Sequence, residues 1–185
     1  MIEIDHAADR AAAAAWAQAA LSDERAVILD TETTGLAGYV CDIAVVRAID
    51  GSVLMDVLVN PGVLIEPGAQ AVHGISDADV AGARSFADIY PLLFEVAYPA
   101  RILVYNAEYD MGRLDAELAR MDVPRRALGG FGWECIMLQY AAWVGEWNEF
   151  HGNYRWHKLD GEHRALGDCQ AARRRLQQMA GAASA

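Results

Sequence analysis

Lysine is nearly absent from this chain. Its 185 residues include one lysine, Lys158, and acidic residues outnumber basic ones 26 to 15, for a net charge of -11 and a pI near 4.7. That balance excludes a broad basic face that would hold a nucleic-acid duplex by charge alone. A grip on a polyanion would have to be short and local, with bound cations offsetting acidic positions. Cysteine is also scarce: Cys41, Cys135 and Cys169 are odd in number and show no CxxC spacing. A disulfide framework and a zinc site of the usual spacing are therefore not expected, and a reducing, cytoplasmic compartment is. No apolar run is long enough to cross a bilayer. The Ala-rich opening AAAAAWAQAA follows Asp5, Asp9 and Arg10 rather than a basic leader, so it reads as an amphipathic helix with no membrane partner.

What is present, 54% hydrophobic and 22% charged residues, suits a single domain over residues 1–185 with a core that needs no staples. Residues 26–31, 39–49 and 52–59 read as strands, the second and third joined at Asp50-Gly51, a hairpin signal. After Asn60-Pro61-Gly62 a loop is expected through IEPGAQAVHGISDADV. Ser85 can cap a helix reaching Tyr98, with Pro91 as a kink point. RILVYN reads as a strand, and Asn106 as the cap of a helix with an apolar stripe of Met111, Leu114, Leu118 and Met121, ending at Pro124. A strand at 133–137, a helix at 138–146, an aromatic loop and a helix over 164–180 complete the pass. The Arg173-Arg174-Arg175 run reads as a solvated helix face, and Arg125-Arg126 is the other basic cluster. Three hairpin-linked strands followed by alternating strands and helices predict an α/β fold: a mixed sheet, an antiparallel meander plus parallel strands, flanked by helices.

The stretch AVILDTETTGL carries the chemistry. Side chains at i and i+2 of a strand share a face, so Asp30 and Glu32 stand side by side at the end of an apolar run. Like charges that close repel unless a cation lies between them, and a divalent metal is the natural remedy. The plainer alternative is that the strand stops at Leu29 and the acids are solvated. Asp110, one turn into its helix, shares a face with Ala107 and Leu114 and so leans toward the protein body, although the helix dipole alone also favours an acid there. In GEHRALGD, five helical steps would leave His163 and Asp168 roughly 140° apart. They converge only if His163 sits on a lead-in loop after Gly161, with Asp168 one turn into the helix. A surface histidine and an Asp168–Arg164 pair are the alternative.

DTETTGL, VHGIS, YNAEYD and HRALGD, in this order and spacing, resemble the successive motifs of the DEDDh, or DnaQ-like, 3′-to-5′ exonuclease family over about residues 26–179. The resemblance implies a ribonuclease-H-like fold and removal of nucleotides from a 3′ end of single-stranded DNA or RNA. It implies that Asp30, Glu32, Asp110 and Asp168 hold two Mg2+ or Mn2+ ions, and that His163 is the general base. Carboxylate oxygens suit such hard cations, and imidazole, with a pKa near 6.5, suits proton abstraction at neutral pH.

By the same resemblance Thr33, Thr34, Gly35 and Leu36 lie beside the terminal nucleotide, His73 approaches it, and Asn106 acts mainly as a cap that orients Asp110. Some relatives place an acid where this chain has Gly68. The segment between Leu159 and His163 is shorter than is common. Trp143, Trp147, Phe150, Tyr154 and Trp156 offer stacking surfaces for bases, or simply packing. Two rivals share some of these features. A haloacid-dehalogenase-type phosphatase would fit an acidic loop after a strand but needs a central lysine and a second acidic pair that are not evident. A catalytically silent module of the same fold would serve a polymerase or nuclease partner. Oligomeric state is left open by the sequence.

Overall fold

The apolar start of AVILDTET lies in a strand covered on both faces, which is why Ala26 to Leu29 are all buried instead of alternating. A computed structural model describes residues 5–98, 101–123 and 132–181. Strand β1 (Ala26–Thr33) pairs antiparallel with β2 (Val40–Arg47), which pairs antiparallel with β3 (Val53–Asn60). On the other side β1 runs parallel to β5 (Arg101–Val104), and β5 parallel to β6 (Gly132–Cys135). A two-residue strand, β4 (Arg84–Ser85), extends the far edge, giving the order β4-β3-β2-β1-β5-β6. The mixed sheet expected from the sequence is thus the architecture found.

Two cores separate by strand face. Ile28, Ala44, Val46 and Leu103 pack against α1 (His6–Ser22), α6 (Ile136–Val144) and α7 (Ala165–Gly181). Val27, Leu29, Ile43 and Val45 pack against α4 (Phe86–Ala97) and α5 (Ala107–Arg120). The i, i+2 rule then fixes a consequence for β1: Asp30 and Glu32 continue the Ile28 face toward α7, while Thr31 and Thr33 continue the Leu29 face toward α5.

Local sequence explains most boundaries. Asp5 caps α1 by accepting from Ala7 and Ala8 N–H groups, and Ser85 with Asp88 forms a reciprocal capping box at α4, which runs through Pro91. The long loop expected after Asn60 instead contains two short helices. In α2 (Pro67–His73), proline occupies the first turn and Gly74 ends the helix in the left-handed region at φ 75°. In α3 (Asp77–Val80), Ser76 and Asp79 form a second capping box. Within the aromatic segment a small hairpin forms from β7 (Trp147–Asn148) and β8 (Asn153–Tyr154). Ile136 and Met137, expected in a strand, begin α6. The arginine run is not merely solvated: Arg173 donates to the Ala48 and Ile49 carbonyls, and Arg175 to Asp160 and the Tyr140 hydroxyl. Pro124, Arg125 and Arg126 lie outside the described residues. No described helix is long and apolar enough to cross a membrane.

Candidate active site

At the end of β1 the structure gathers three of the expected acids. Asp30, Glu32 and Asp168 each offer a carboxylate oxygen, and these atoms lie within 4.8 Å of one another. Asp168 reaches the pair because it sits in the first turn of α7, which packs over the Ile28 face; directly below it, Cys169 donates to the Ile28 and Ala44 carbonyls. Such a set of hard oxygen donors fits a divalent cation of the magnesium or manganese type.

Asp110 arrives from the opposite layer. Beyond Leu103 the parallel partner strand no longer covers β1, leaving the Thr31 N–H on an open edge. Asp110, buried at the start of α5, closes that edge: its Oδ1 accepts from the Thr31 amide at 3.1 Å and the Thr31 hydroxyl at 2.7 Å. Its charge bears on Asp30.

The electrostatics record how tightly these acids are held. Burial first, and then the charges of Asp110, Asp168, Glu32 and Asp42, push the Asp30 carboxyl well above the usual range. Glu32 is raised to about 8 by burial and then by Asp168, Asp42 and Asp110, with Arg164 pulling back. Asp110 is raised to about 7 by burial, opposed by the Thr31 hydrogen bonds. Asp168 is raised by burial against the hydrogen bond it receives from His163. Carboxylates that resist ionisation together are suited to a shared divalent counter-charge.

His163 sits on the lead-in loop, as the five-residue spacing requires. Its backbone is left-handed at φ 54°, its N–H donates to Asp168 Oδ1 at 3.1 Å, and its ring is exposed. The close turn depends on Gly161, where a β-carbon would fall 2.0 Å from Asp168 Oδ1. Arg164 does not pair with Asp168; it pairs with Asp42 at 2.9 Å.

Beside the acid cluster opens a cavity of about 390 Å³, lined by Glu32, Thr33, Gly35, Leu36, Glu66, Val72, His73 and Tyr109 among others. Leu36 is 87% exposed at its rim. Gly35 is buried against the Glu66 carboxylate, which a β-carbon there would meet at 2.3 Å. The Thr33 hydroxyl lies 2.7 Å from Tyr109 Oη and 2.9 Å from the Gly35 carbonyl, and Thr34 Oγ1 accepts from the Tyr39 amide.

His73 is buried, and both ring nitrogens serve the backbone: Nδ1 accepts from the Ile75 N–H, so Nε2 carries the proton that faces the Thr33 carbonyl. It lines the cavity as a prop under β1. Asn106 is the N-cap residue just before α5 but is left-handed at φ 75° and its side chain makes no cap hydrogen bond. Thr31, not Asn106, orients Asp110.

Sequence reasoning missed Tyr109, Glu66 and Asp42. For Asp42 a signal existed: it is the one acid in the otherwise apolar run VCDIAVV, and an acid on a strand buried on both faces implies a buried partner. The aromatic residues divide. Trp143 is in the core against Tyr140, Trp147 packs edge-on against Tyr154 in the small hairpin, and Phe150 and Trp156 are exposed.

Comparison with known proteins agrees with this geometry. The RNase T exonuclease family model matches residues 27–174. "Uncharacterized exonuclease CP81" of Escherichia phage 186 is 35% identical over 170 residues, covering 81% of this chain and 84% of that protein. Exodeoxyribonuclease 10 of Escherichia coli K12 is 32% identical over 152 residues, 77% of this chain and 62% of its own length. Among solved structures, exonuclease X in complex with 5′-overhanging duplex DNA superimposes with a TM-score of 0.59 at 28% identity, over 86% of this chain and 93% of that one. With fold, acid cluster and matched span in agreement, the chain belongs to the DnaQ-like exonuclease family of the ribonuclease-H-like fold.

Proposed function

We propose that this protein is a divalent-cation-dependent 3′-to-5′ exonuclease that removes 5′-nucleoside monophosphates from single-stranded DNA. The observation that carries the reading is the three-carboxylate cluster opening directly onto a cavity of about 390 Å³ through their common residue, Glu32. A cavity of that size accommodates one nucleoside at a strand end, and no stretch of duplex. Names of relatives that refer to deoxyribonucleic acid favour DNA over RNA.

Asp30, Glu32 and Asp168, with Asp110 behind Thr31, would hold two Mg2+ or Mn2+ ions. Such ions, when bound, stabilise charge on the attacking and leaving oxygens of a phosphodiester displacement. The remaining work falls to side chains of the chain itself. His163, exposed next to Asp168, takes the proton of the attacking water, and its ring is free to do so because, among the described residues, only its backbone is tied. Leu36, Val72 and Tyr109 offer apolar surface to the terminal base and sugar, while His73 and Thr33 keep that wall in place. The three free cysteines accord with work in a reducing cytoplasm.

A 3′-labelled oligonucleotide tests the reading. Mn2+- or Mg2+-dependent release of the label as a mononucleotide, abolished in Asp30→Ala, is expected. Binding of the strand without turnover would instead mark a silent module of the same fold. A matched RNA strand, expected to be the poorer substrate, decides the sugar preference.

A further inference from the structure

We propose that Asp42 and Arg164 form a fastening that positions His163; the inference rests on the reading of His163 as the base. Asp42 stands on β2 opposite Glu32, as its paired residue. It is 1% exposed, yet neither member of the acid cluster nor part of the cavity wall. Its Oδ2 accepts from Arg164 Nε at 2.9 Å and from the Ala165 N–H at 3.3 Å, while its Oδ1 is buried with no hydrogen-bond partner among the described residues. A buried carboxylate held only on one side depends on that side. Arg164, with about half its side chain exposed, supplies the matching charge and is the residue next to His163.

The geometry around His163 shows what the pair does. On its N-terminal side Gly161 lies against the Asp168 carboxylate, and the His163 N–H itself donates to Asp168. On its C-terminal side Arg164 and Ala165 are tied to Asp42. Between these ties His163 is left-handed, a conformation that L side chains seldom hold without surrounding restraint. Release of the Asp42 end allows the backbone at His163 to relax, and the ring then leaves the site it serves. Asp42 is therefore a positioning residue acting through His163, 121 positions away in the chain.

Single-turnover and steady-state rates on a 3′-hydroxyl DNA strand test this. Asp42→Ala is expected to lower kcat at least tenfold with KM within twofold, since Asp42 does not line the cavity. In a His163→Ala background the same change should cost less than twofold, because the group it positions is already gone. Arg164→Ala, at a half-exposed side chain, repeats the test from the other end if Asp42→Ala fails to fold. A kcat within twofold of wild type, or an equal loss in the His163→Ala background, would overturn the proposal. An inactive wild type would instead overturn the exonuclease reading. In that event the His163 ring resonances still decide the fastening: they should shift or broaden in Arg164→Ala, and unchanged resonances would reject it.

Discussion

The two faces of β1, one residue apart, solve opposite problems. Toward α7, Asp30 and Glu32 meet Asp168; burial raises all three carboxyls, and the charges of neighbouring acids raise Asp30 and Glu32 further. Toward α5, Thr31 and Thr33 meet Asp110 and Tyr109, and polar atoms there find partners at 2.7 Å. The first face is frustrated; on the second, the polar groups of Thr31 and Thr33 are satisfied, and the bonds of Thr31 to Asp110 offset part of the burial that raises it. The satisfied face supplies rigidity, because a strand end tied through the Thr31 amide and the Thr31 and Thr33 hydroxyls resists splaying to relieve the repulsion on its other side. A cation site needs that rigidity, since it must keep like charges together before the cation arrives.

The comparison breaks most severely at Asp30. Asp30→Asn should cost activity about 10³-fold, the equivalent of several kcal/mol of transition-state stabilisation. It should also raise the thermal stability of the protein in chelator, because it removes a charge from the frustrated face. Melting curves with and without Mn2+ check the second half: the gain on adding Mn2+ should shrink in the variant. Next is His163→Ala, expected to lower kcat about 10²- to 10⁴-fold while Mn2+ affinity stays put, as the imidazole is assigned a proton and not an ion. Equal loss of both would contradict that assignment.

Gly161→Ala sharpens the contrast from the loop side. The new methyl would meet Asp168 Oδ1 at 2.0 Å, so the carboxylate must move off the cluster. Activity should fall about 10- to 100-fold, in the range of altered support for a metal ligand, and Mn2+ affinity should fall with it. That joint loss distinguishes it from His163→Ala. Gly35→Ala, although it meets Glu66 at 2.3 Å, presses on the end of a flexible exposed side chain and should affect KM more than kcat.

The frustration has a pH signature. Glu32 has a folded pKa of about 8, above the ordinary 4.5 of an unfolded chain. The folded state therefore binds more protons than the unfolded one between those values, and stability must fall as pH rises through that window. Asp110, at about 7 against 3.8, adds to the slope in the same sense. In chelator the melting temperature should decline from about pH 4.5 to pH 8; Glu32→Gln should flatten the decline, and saturating Mn2+ should do likewise. A melting temperature that rises across the window would refute the frustrated face.

How far the site was legible in the sequence follows from the range of each interaction. Strand periodicity put Asp30 and Glu32 on one side, and helix periodicity required His163 to lie off the helix of Asp168; both are local rules, and all three residues stand where those rules place them. The sheet order followed from a hairpin signal and from alternating elements. The role of Asp42 was not read because its partner lies 122 residues away, and the packing of α7 on the sheet, not proximity in the chain, brings them together. His73, expected to approach substrate, lines the cavity with both ring nitrogens on backbone groups, a tie that its sequence context does not reveal. The helices in the Asn60 to Val80 segment were missed because helices of seven and four residues carry little periodicity.

The smallest expected effect tests the satisfied face directly. Thr31→Val keeps the shape of the side chain and the amide bond to Asp110 at 3.1 Å but deletes the hydroxyl bond at 2.7 Å. Asp110 Oδ1 then loses one of two donors in a buried setting, a cost of about 1 kcal/mol in stability. Because that hydroxyl also opposes the burial that raises the Asp110 carboxyl, its loss should lift the Asp110 pKa further. The alkaline shift in the pH dependence of Mn2+ binding is the measurement to make, with activity at saturating Mn2+ falling less than tenfold. If Thr31→Val instead cost as much as Asp30→Asn, the two faces would not be separable, and the hydroxyl would belong to the cation site itself rather than to its scaffold.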